Sequence, residues 1–394
     1  MVINRVVIFG VAYSPNLGDG VISHTLNLLL KKIFGSEICI DNIDLAGREC
    51  LDEFDHPYFG IREYFIKYSK FIPRKLRRYL VTTYIKRSLS PKLKVWREKV
   101  KACDMVIIGG GNLFSDVDLN FPLKLSIVLK LAIEEQKRIF ITSVGVNDNW
   151  SSHGRELIKT YINNDGVYFS CRDNSSCNLM RKMFSPAYVA LLPDPAILLS
   201  RLHAPSTKVK IGKKRIGINV ACPTNMAYSG DLRIINNNKL SIKFYMDLTK
   251  HFLERGFEVE LFTNGAKEDR LFLTNFIGII GLENKKLHVK KANNPLELID
   301  IISGLDRLFS FRMHACIVGL SYGVPSYSIA WDTKIKSFYL ENNLSDMLLE
   351  NIMVQKGDSV AEIMLREKNS RTIVDSNTIN AIEKAYTEFF KTIS

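Results

Sequence analysis

Apolar positions along the chain take two patterns. Short unbroken runs alternate with longer stretches in which apolar residues recur every three or four positions. The first pattern reads as buried strands and the second as amphipathic helices. A strand at 4–10 precedes a helix of about 19–34, with Val21, Ile22, Leu26, Leu29, Leu30 and Ile33 on one face. Strands at 105–108, 138–144 and 166–171 then alternate with helices at 121–136, 154–163 and 174–183, and YVALLPDPAILL closes this half. Residues 201–214 contain Pro205 and Gly212 and lack periodicity, which reads as a linker. Beyond it come strands at 215–220, 257–262, 286–290 and 307–311, helices at 241–255, 267–279 and 295–303, and an apolar segment leading to a strand that ends near Trp331. Such alternation on both sides of a linker predicts an α/β protein of two doubly wound, Rossmann-like domains, 1–204 and 205–394, facing across a cleft. A last helix over 376–393 is a candidate to pack back on the first domain.

Charge changes this picture in one place. The net charge is +13, yet the stretch from Lys67 to Lys101 alone carries thirteen Lys and Arg against Glu98. The remainder is therefore nearly neutral, and the basic segment at about 61–101 is a local electrostatic device. Within it Ile72, Leu76, Leu80 and Tyr84 recur at i+4, with Arg74, Lys75, Arg77, Arg78, Lys86 and Arg87 between them. Either this helix meets an anionic membrane surface or its apolar stripe packs on its own domain. No nucleic-acid motif accompanies the charge, so nucleic acid is not expected as a partner. No apolar run approaches the ~18 residues of a spanning helix. With no signal-like segment after Met1, the reading is a cytoplasmic protein, and a peripheral one on the inner face of the cytoplasmic membrane if the basic helix meets that surface. The seven cysteines sit mostly in apolar runs without metal-ligand spacing, and are expected as reduced, buried thiols.

Candidate chemistry lies at strand ends, where open α/β sheets bind ligands. Arg307–Lys336 delivers Arg312 and His314 after one strand, and Asp332 and Lys334 after the next. A guanidinium, an imidazole and an ammonium beside a helix N-terminus suit a small, highly anionic ligand. In the first half, Asn16 and Asp19 follow the first strand; Asp19 either caps the helix or takes part in chemistry. Gly109, Gly110 and Gly111 with Asn112 follow the strand at 105–108, where glycines let backbone N–H groups approach a ligand. Gly145 ends the next strand, and Arg172 the one after, as a second anion ligand or as the partner of Asp173 or Asp194.

N-L-G-D at 16–19, I-I-G-G-G-N-L at 107–113, R-D-x-S at 172–175, P-D-P-A at 193–196, R-M-H-A at 312–315, then V-P and D-x-K, occur in that order. Together they resemble the polysaccharide pyruvyltransferase family, whose members move the pyruvyl group of phosphoenolpyruvate onto sugar hydroxyls as a cyclic ketal. At 143–147 the chain reads SVGVN, where that family tends to show a G-x-G-type turn with Gln and Pro nearby. The resemblance implies a GT-B-like fold with the donor side in the second domain and the acceptor side in the first. It implies that Arg312, His314 and Lys334 hold phosphoenolpyruvate, that Arg172 reaches across the cleft, and that Asn16, Gly110, Gly111 and Asn112 line the substrate site. The implied roles are His314 as acid and Asp19 as base, with no metal or other cofactor. The acceptor would be a saccharide, carried on a lipid in surface-polysaccharide assembly. The competing reading is a nucleotide-sugar-dependent glycosyltransferase on the same fold, with Arg312 and Lys334 clamping a diphosphate. A third is a non-catalytic scaffold acting through the basic helix.

Overall fold

The computed structural model describes residues 2–51, 72–186, 188–205, 214–223, 238–350, 356–366 and 374–392. Residues 61–71 of the basic segment and most of the expected linker, 206–213, lie outside them. The chain forms two compact units, Met1–Ser14 with Ile22–Pro195 and Ile382–Ser394, and Pro15–Val21 with Ala196–Ala381. The division falls at 195/196, where the sequence reading put it at 204/205. Two short segments are also exchanged: 15–21 belongs with the second unit and 382–394 with the first.

In the first unit β1 (Arg5–Gly10), α1 (Leu17–Phe34, whose residues to Val21 belong to the second unit), β2 (Cys39–Asp44), α2 (Arg74–Leu89), α3 (Leu93–Ala102), β3 (Met105–Gly109), α4 (Asn120–Glu134), β4 (Arg138–Val144), α5 (Ser152–Ile162), β5 (Val167–Cys171), α6 (Asn174–Phe184) and β6 (Ala190–Leu191) succeed one another. The strands make one parallel sheet in the order β2-β1-β3-β4-β5-β6. Its central strands are unbroken apolar runs because helices cover both faces of such a sheet. β2 was not foreseen. Its sequence CIDNID lacks alternation, but it is an edge strand whose polar side chains are engaged locally. Asp41 pairs with Lys99 at 2.8 Å and Arg5 at 3.3 Å. Asp44, buried, accepts from the Tyr13 and Ala46 N–H groups.

The second unit runs α7 (Leu199–Leu202), β7 (Arg215–Asn219), α8 (Asn238–Glu254), β8 (Glu258–Phe262), α9 (Lys267–Ile280), β9 (Leu287–Val289), α10 (Pro295–Ser303), β10 (Arg307–Ser310), α11 (Met313–Ser321), β11 (Ser326–Ile329), α12 (Thr333–Glu341), β12 (Leu348–Leu349), α13 (Gly357–Leu365) and α14 (Ser376–Lys391). Its parallel sheet, β12-β11-β10-β7-β8-β9, has the doubly wound order with a switch point between β7 and β10. The first sheet switches between β1 and β3. α14 begins in this unit and its last turns belong to the first. There Tyr386, Phe389 and Phe390 are buried, the two phenylalanines packing on Phe140.

Five cysteines are buried as expected, but Cys39 and Cys50 are exposed, and all seven are free thiols. Burial pushes the Cys103 and Cys316 thiols up to about 11. No helix among the described residues is long and apolar enough to cross a membrane.

Candidate active site

Each sheet carries one cluster at the ends of its strands: β3, β4 and β5 in the first unit, and β7, β8 and β10 in the second. In the first unit, β3 runs into Gly110 and Gly111, both with φ in the left-handed region (+74° and +77°). A Cβ at Gly110 would stand 2.1 Å from Ile22 Cγ2, so α1 presses directly on the turn. The Gly110 N–H donates to the Thr142 carbonyl at 3.1 Å, and the Gly145 N–H to the Gly111 carbonyl at 2.8 Å. The turn is therefore laced to the end of β4, and the Gly110 N–H is spent on that lacing.

Gly145 makes room for two side chains at once. A Cβ there would meet Arg172 Cζ and Nη2, and Asn112 Oδ1, each at 2.8 Å. Arg172 is buried, and its Nε donates to Asp173 Oδ2 at 3.3 Å. Asp173 is held in turn as the cap of α6, accepting the Ser176 N–H at 2.7 Å. Arg172 Nη2 and Asn112 Oδ1 are buried with no hydrogen-bond partner among the described residues. An unsatisfied guanidinium nitrogen costs more than a neutral group left bare, so this corner is chemically able to accept an anionic or hydroxylated ligand.

In the second unit, Arg312 is the N-cap position of α11 and His314 lies in its first turn. Arg312 does not stand alone. Its Nε and Nη2 both donate to Asp269 Oδ2, at 2.9 and 2.6 Å, while Asp269 Oδ1 accepts the Cys222 N–H at 2.7 Å. Burial works against the Arg312 charge, but Asp269 outweighs it and holds the guanidinium above its ordinary value. Burial pushes the Asp269 carboxyl upward against the pull of Arg312. The place of Asp269 in the first turn of α9 makes it the orienting partner of Arg312.

N-L-G-D, which the sequence reading gave to the first domain, meets the R-x-H motif. Gly18 lies so close that a Cβ would stand 2.6 Å from His314 Cβ and 2.9 Å from Nδ1. Helix α1 starts at Leu17, so Asp19 lies inside its first turn rather than at its cap, with its N–H on the Asn16 carbonyl at 3.0 Å. The Leu17 N–H donates to the Asn264 carbonyl at 2.7 Å, and Gly265 (φ +95°) leaves space for Pro15 and Leu17. Lys334 stands one loop along, 4.0 Å from Asp332 Oδ2; Asp332 caps α12 through the Lys334 N–H. The two loops are tied by Trp331 Nε1 donating to the Phe311 carbonyl at 3.0 Å.

Beneath these groups runs a buried relay that sequence reasoning missed. Ser310 Oγ accepts the Arg312 N–H at 2.9 Å and donates to Asn219 Oδ1 at 3.0 Å. Asn219 Nδ2 donates to Asn264 Oδ1 at 3.0 Å, and Asn264 Nδ2 is buried without a hydrogen-bond partner among the described residues. Applying the strand-end rule to β7 and β8, as it was applied to β10, would have found Asn219 and Asn264.

Two doubly wound sheets of this kind define a two-domain α/β protein of GT-B-like fold. It is similar over 98% of its length to a UDP-GlcNAc 2-epimerase from Neisseria meningitidis bound to UDP-GlcNAc, covering 99% of that chain at 11% identity and a TM-score of 0.57. It resembles the S. aureus MnaA–UDP structure (99% and 98% covered, 11% identity, TM-score 0.55). Anabaena Alr3699/HepE in complex with UDP and glucose is alike to a similar degree (99% and 100% covered, 8% identity, TM-score 0.54). No curated protein matches in sequence. The family is shown by sequence: the polysaccharide pyruvyl transferase model matches residues 16–333, and the chain belongs to that family.

Proposed function

We propose that this pyruvyl transferase takes phosphoenolpyruvate as donor and builds a cyclic ketal on a saccharide carried by a lipid. The observation that carries the reading is the packing of His314 on Gly18, one residue from Asp19. A candidate acid and a candidate base, from motifs nearly three hundred positions apart in sequence, then belong to one cluster beside a guanidinium fixed by Asp269.

The chemistry follows from these groups. Arg312 and Lys334 offset the donor's carboxylate and phosphate. Protonated His314 gives its proton to the methylene carbon, and the neighbouring carbon gains oxocarbenium character. A sugar hydroxyl oxygen bonds to that carbon while Asp19 accepts its proton. The phosphate leaves with the electron pair of its bond to carbon, and a second hydroxyl closes the ring, its proton passing to the His314 imidazole that gave one up in the first step. The step consumes no redox equivalents, so the proposal includes no cofactor. Arg172 and Asn112 are the acceptor-side groups in this reading, supported by their unsatisfied polar atoms. The lipid carrier rests on the exposed cationic face of α2, and with it a peripheral place at the inner membrane surface.

The test is incubation with phosphoenolpyruvate and a panel of lipid-linked saccharides, reading phosphate release and the gain of a pyruvyl ketal by mass. Release is expected with at least one acceptor. No release with any acceptor, together with hydrolysis of a nucleotide-sugar, would replace this reading with glycosyl transfer. His314→Gln should lower kcat by roughly 10²–10⁴-fold. Arg312→Ala, paired with Asp269→Asn so that no buried carboxylate is stranded, should abolish the rise in Tm that phosphoenolpyruvate gives the native protein. An undiminished rise moves the donor site elsewhere.

A further inference from the structure

Helix α2 holds Arg74, Lys75, Arg77, Arg78, Lys86 and Arg87 and contains no acid. One side of it is anchored. Ile85 and Leu89 are buried in the first unit's core with Trp96 and Val100, and Arg77 is paired with Asp118. At 3.6 residues per turn, Leu76, Tyr79, Leu80, Thr83 and Arg87 line the opposite side, with Lys75, Tyr84 and Lys86 flanking them. Leu76, Tyr79, Leu80 and Tyr84 are all exposed, the two tyrosines at 67%. Single exposed hydrophobics need no explanation, but four on one face of one helix do. The apolar stripe that could have packed on its own domain faces outward instead.

Several cations of the segment are neutralised and others are not. Further along, Lys92 is paired with Glu49, Arg97 with Glu134 and Glu135, and Lys99 with Asp41. Lys75, Lys86 and Arg87 are exposed and form no ion pair with any described residue. Arg74, Lys94 and Lys101 are likewise exposed without an ion pair to any described residue, so part of the unneutralised charge, that of Lys75, Lys86 and Arg87, sits on or beside the helix face that shows leucine and tyrosine.

We propose that the outer face of α2 is a docking surface for an anionic phospholipid bilayer. Leu76, Tyr79, Leu80 and Tyr84 enter the headgroup region while Lys75, Lys86 and Arg87 meet lipid phosphates. A helix lying in the interface needs both components, an apolar face and cations beside it. A nucleic-acid surface needs phosphate contacts and gains nothing from outward leucines. The inference stands on this surface alone and survives if the chemistry assigned to His314 fails. It would put the transferase beside acceptors that a bilayer carries.

The full-length protein is sedimented with vesicles of pure phosphatidylcholine and of phosphatidylcholine mixed with phosphatidylglycerol, at equal moderate salt. It should pellet with the anionic vesicles and stay in solution with the neutral ones. Lys75→Glu with Lys86→Glu and Arg87→Glu should weaken binding by at least roughly tenfold, since each surface cation near an anionic leaflet contributes substantially. Leu76→Gln with Leu80→Gln should weaken it as well, and both variants should keep the native Tm because these side chains are exposed. The proposal is overturned if the native protein ignores anionic vesicles or if either variant binds like it. Binding to duplex DNA as tight as to anionic vesicles overturns it too. So does a native dimer that Leu76→Gln with Leu80→Gln converts to a monomer while vesicle binding stays intact.

Discussion

Gly18 has a different task from that of most glycines here. Its missing side chain is occupied by His314, whose Cβ lies 2.6 Å from where a methyl would begin. Gly18→Ala must push the imidazole or the N-L-G-D turn aside. Overpacking of this kind costs about 1–3 kcal/mol, and a catalytic group displaced by ~1 Å can cost ~10²-fold in rate. Gly278 is the control. It lies within α9 with nothing within 4 Å of its would-be Cβ, so Gly278→Ala should be neutral or stabilise by up to about 1 kcal/mol. Thermal melting should move down for the first variant and not for the second, and only Gly18→Ala should lose turnover. A fully active Gly18→Ala enzyme would show that His314 need not sit on this turn. The glycine was legible in sequence as part of a motif, but its reason was not. The contact spans nearly three hundred positions, and no local pattern encodes it.

At the scale of elements, legibility followed burial. β1, β3, β4 and β5 are covered on both faces and read as apolar runs from sequence. β2 escaped because an edge strand can be polar, with Asp41 and Asp44 held by charges and N–H groups that only folding brings near. The last helix, with the first domain as a candidate partner, could be drawn from the sequence, but the particular residues it meets could not. Tyr386 of α14 is fully buried, donates to the Pro193 carbonyl at 2.6 Å and shares a hydrogen bond with Ser143 Oγ. Ser143 has φ +50° just before Gly145, so this hydroxyl braces the loop that seats Arg172. Burial pushes the Tyr386 phenol far above its usual range, which keeps it a proton donor. Tyr386→Phe strands a buried carbonyl and a buried hydroxyl and should cost about 1–3 kcal/mol. Calorimetry should read this as a Tm lowered by several degrees, and an unchanged Tm would mean the hydroxyl is not bracing β4.

Over the whole molecule, strand–helix alternation made two α/β domains readable, and the strand ends then pointed to both clusters. What alternation cannot encode is exchange. A domain boundary drawn by composition assumes that each half folds from contiguous chain, yet 382–394 completes the first unit. Tyr386, Phe389 and Phe390 fill core beside Phe140. Burying three aromatic side chains contributes roughly 5–8 kcal/mol, comparable to the whole stability of a typical domain at about 5–15 kcal/mol. A fragment ending at residue 204, the boundary the composition shift suggests, lacks all three and leaves the Phe140 side of its sheet open. It should therefore aggregate or melt without a cooperative transition. Adding the peptide 374–394 in trans should restore a cooperative melt, with a midpoint that rises with peptide concentration because the peptide binds only the folded fragment. The same peptide with Tyr386, Phe389 and Phe390 changed to Ala should restore nothing. If the fragment ending at 204 melts cooperatively by itself near the midpoint of the intact chain, α14 is an accessory to the first unit, and its aromatic residues contribute far less than their burial implies.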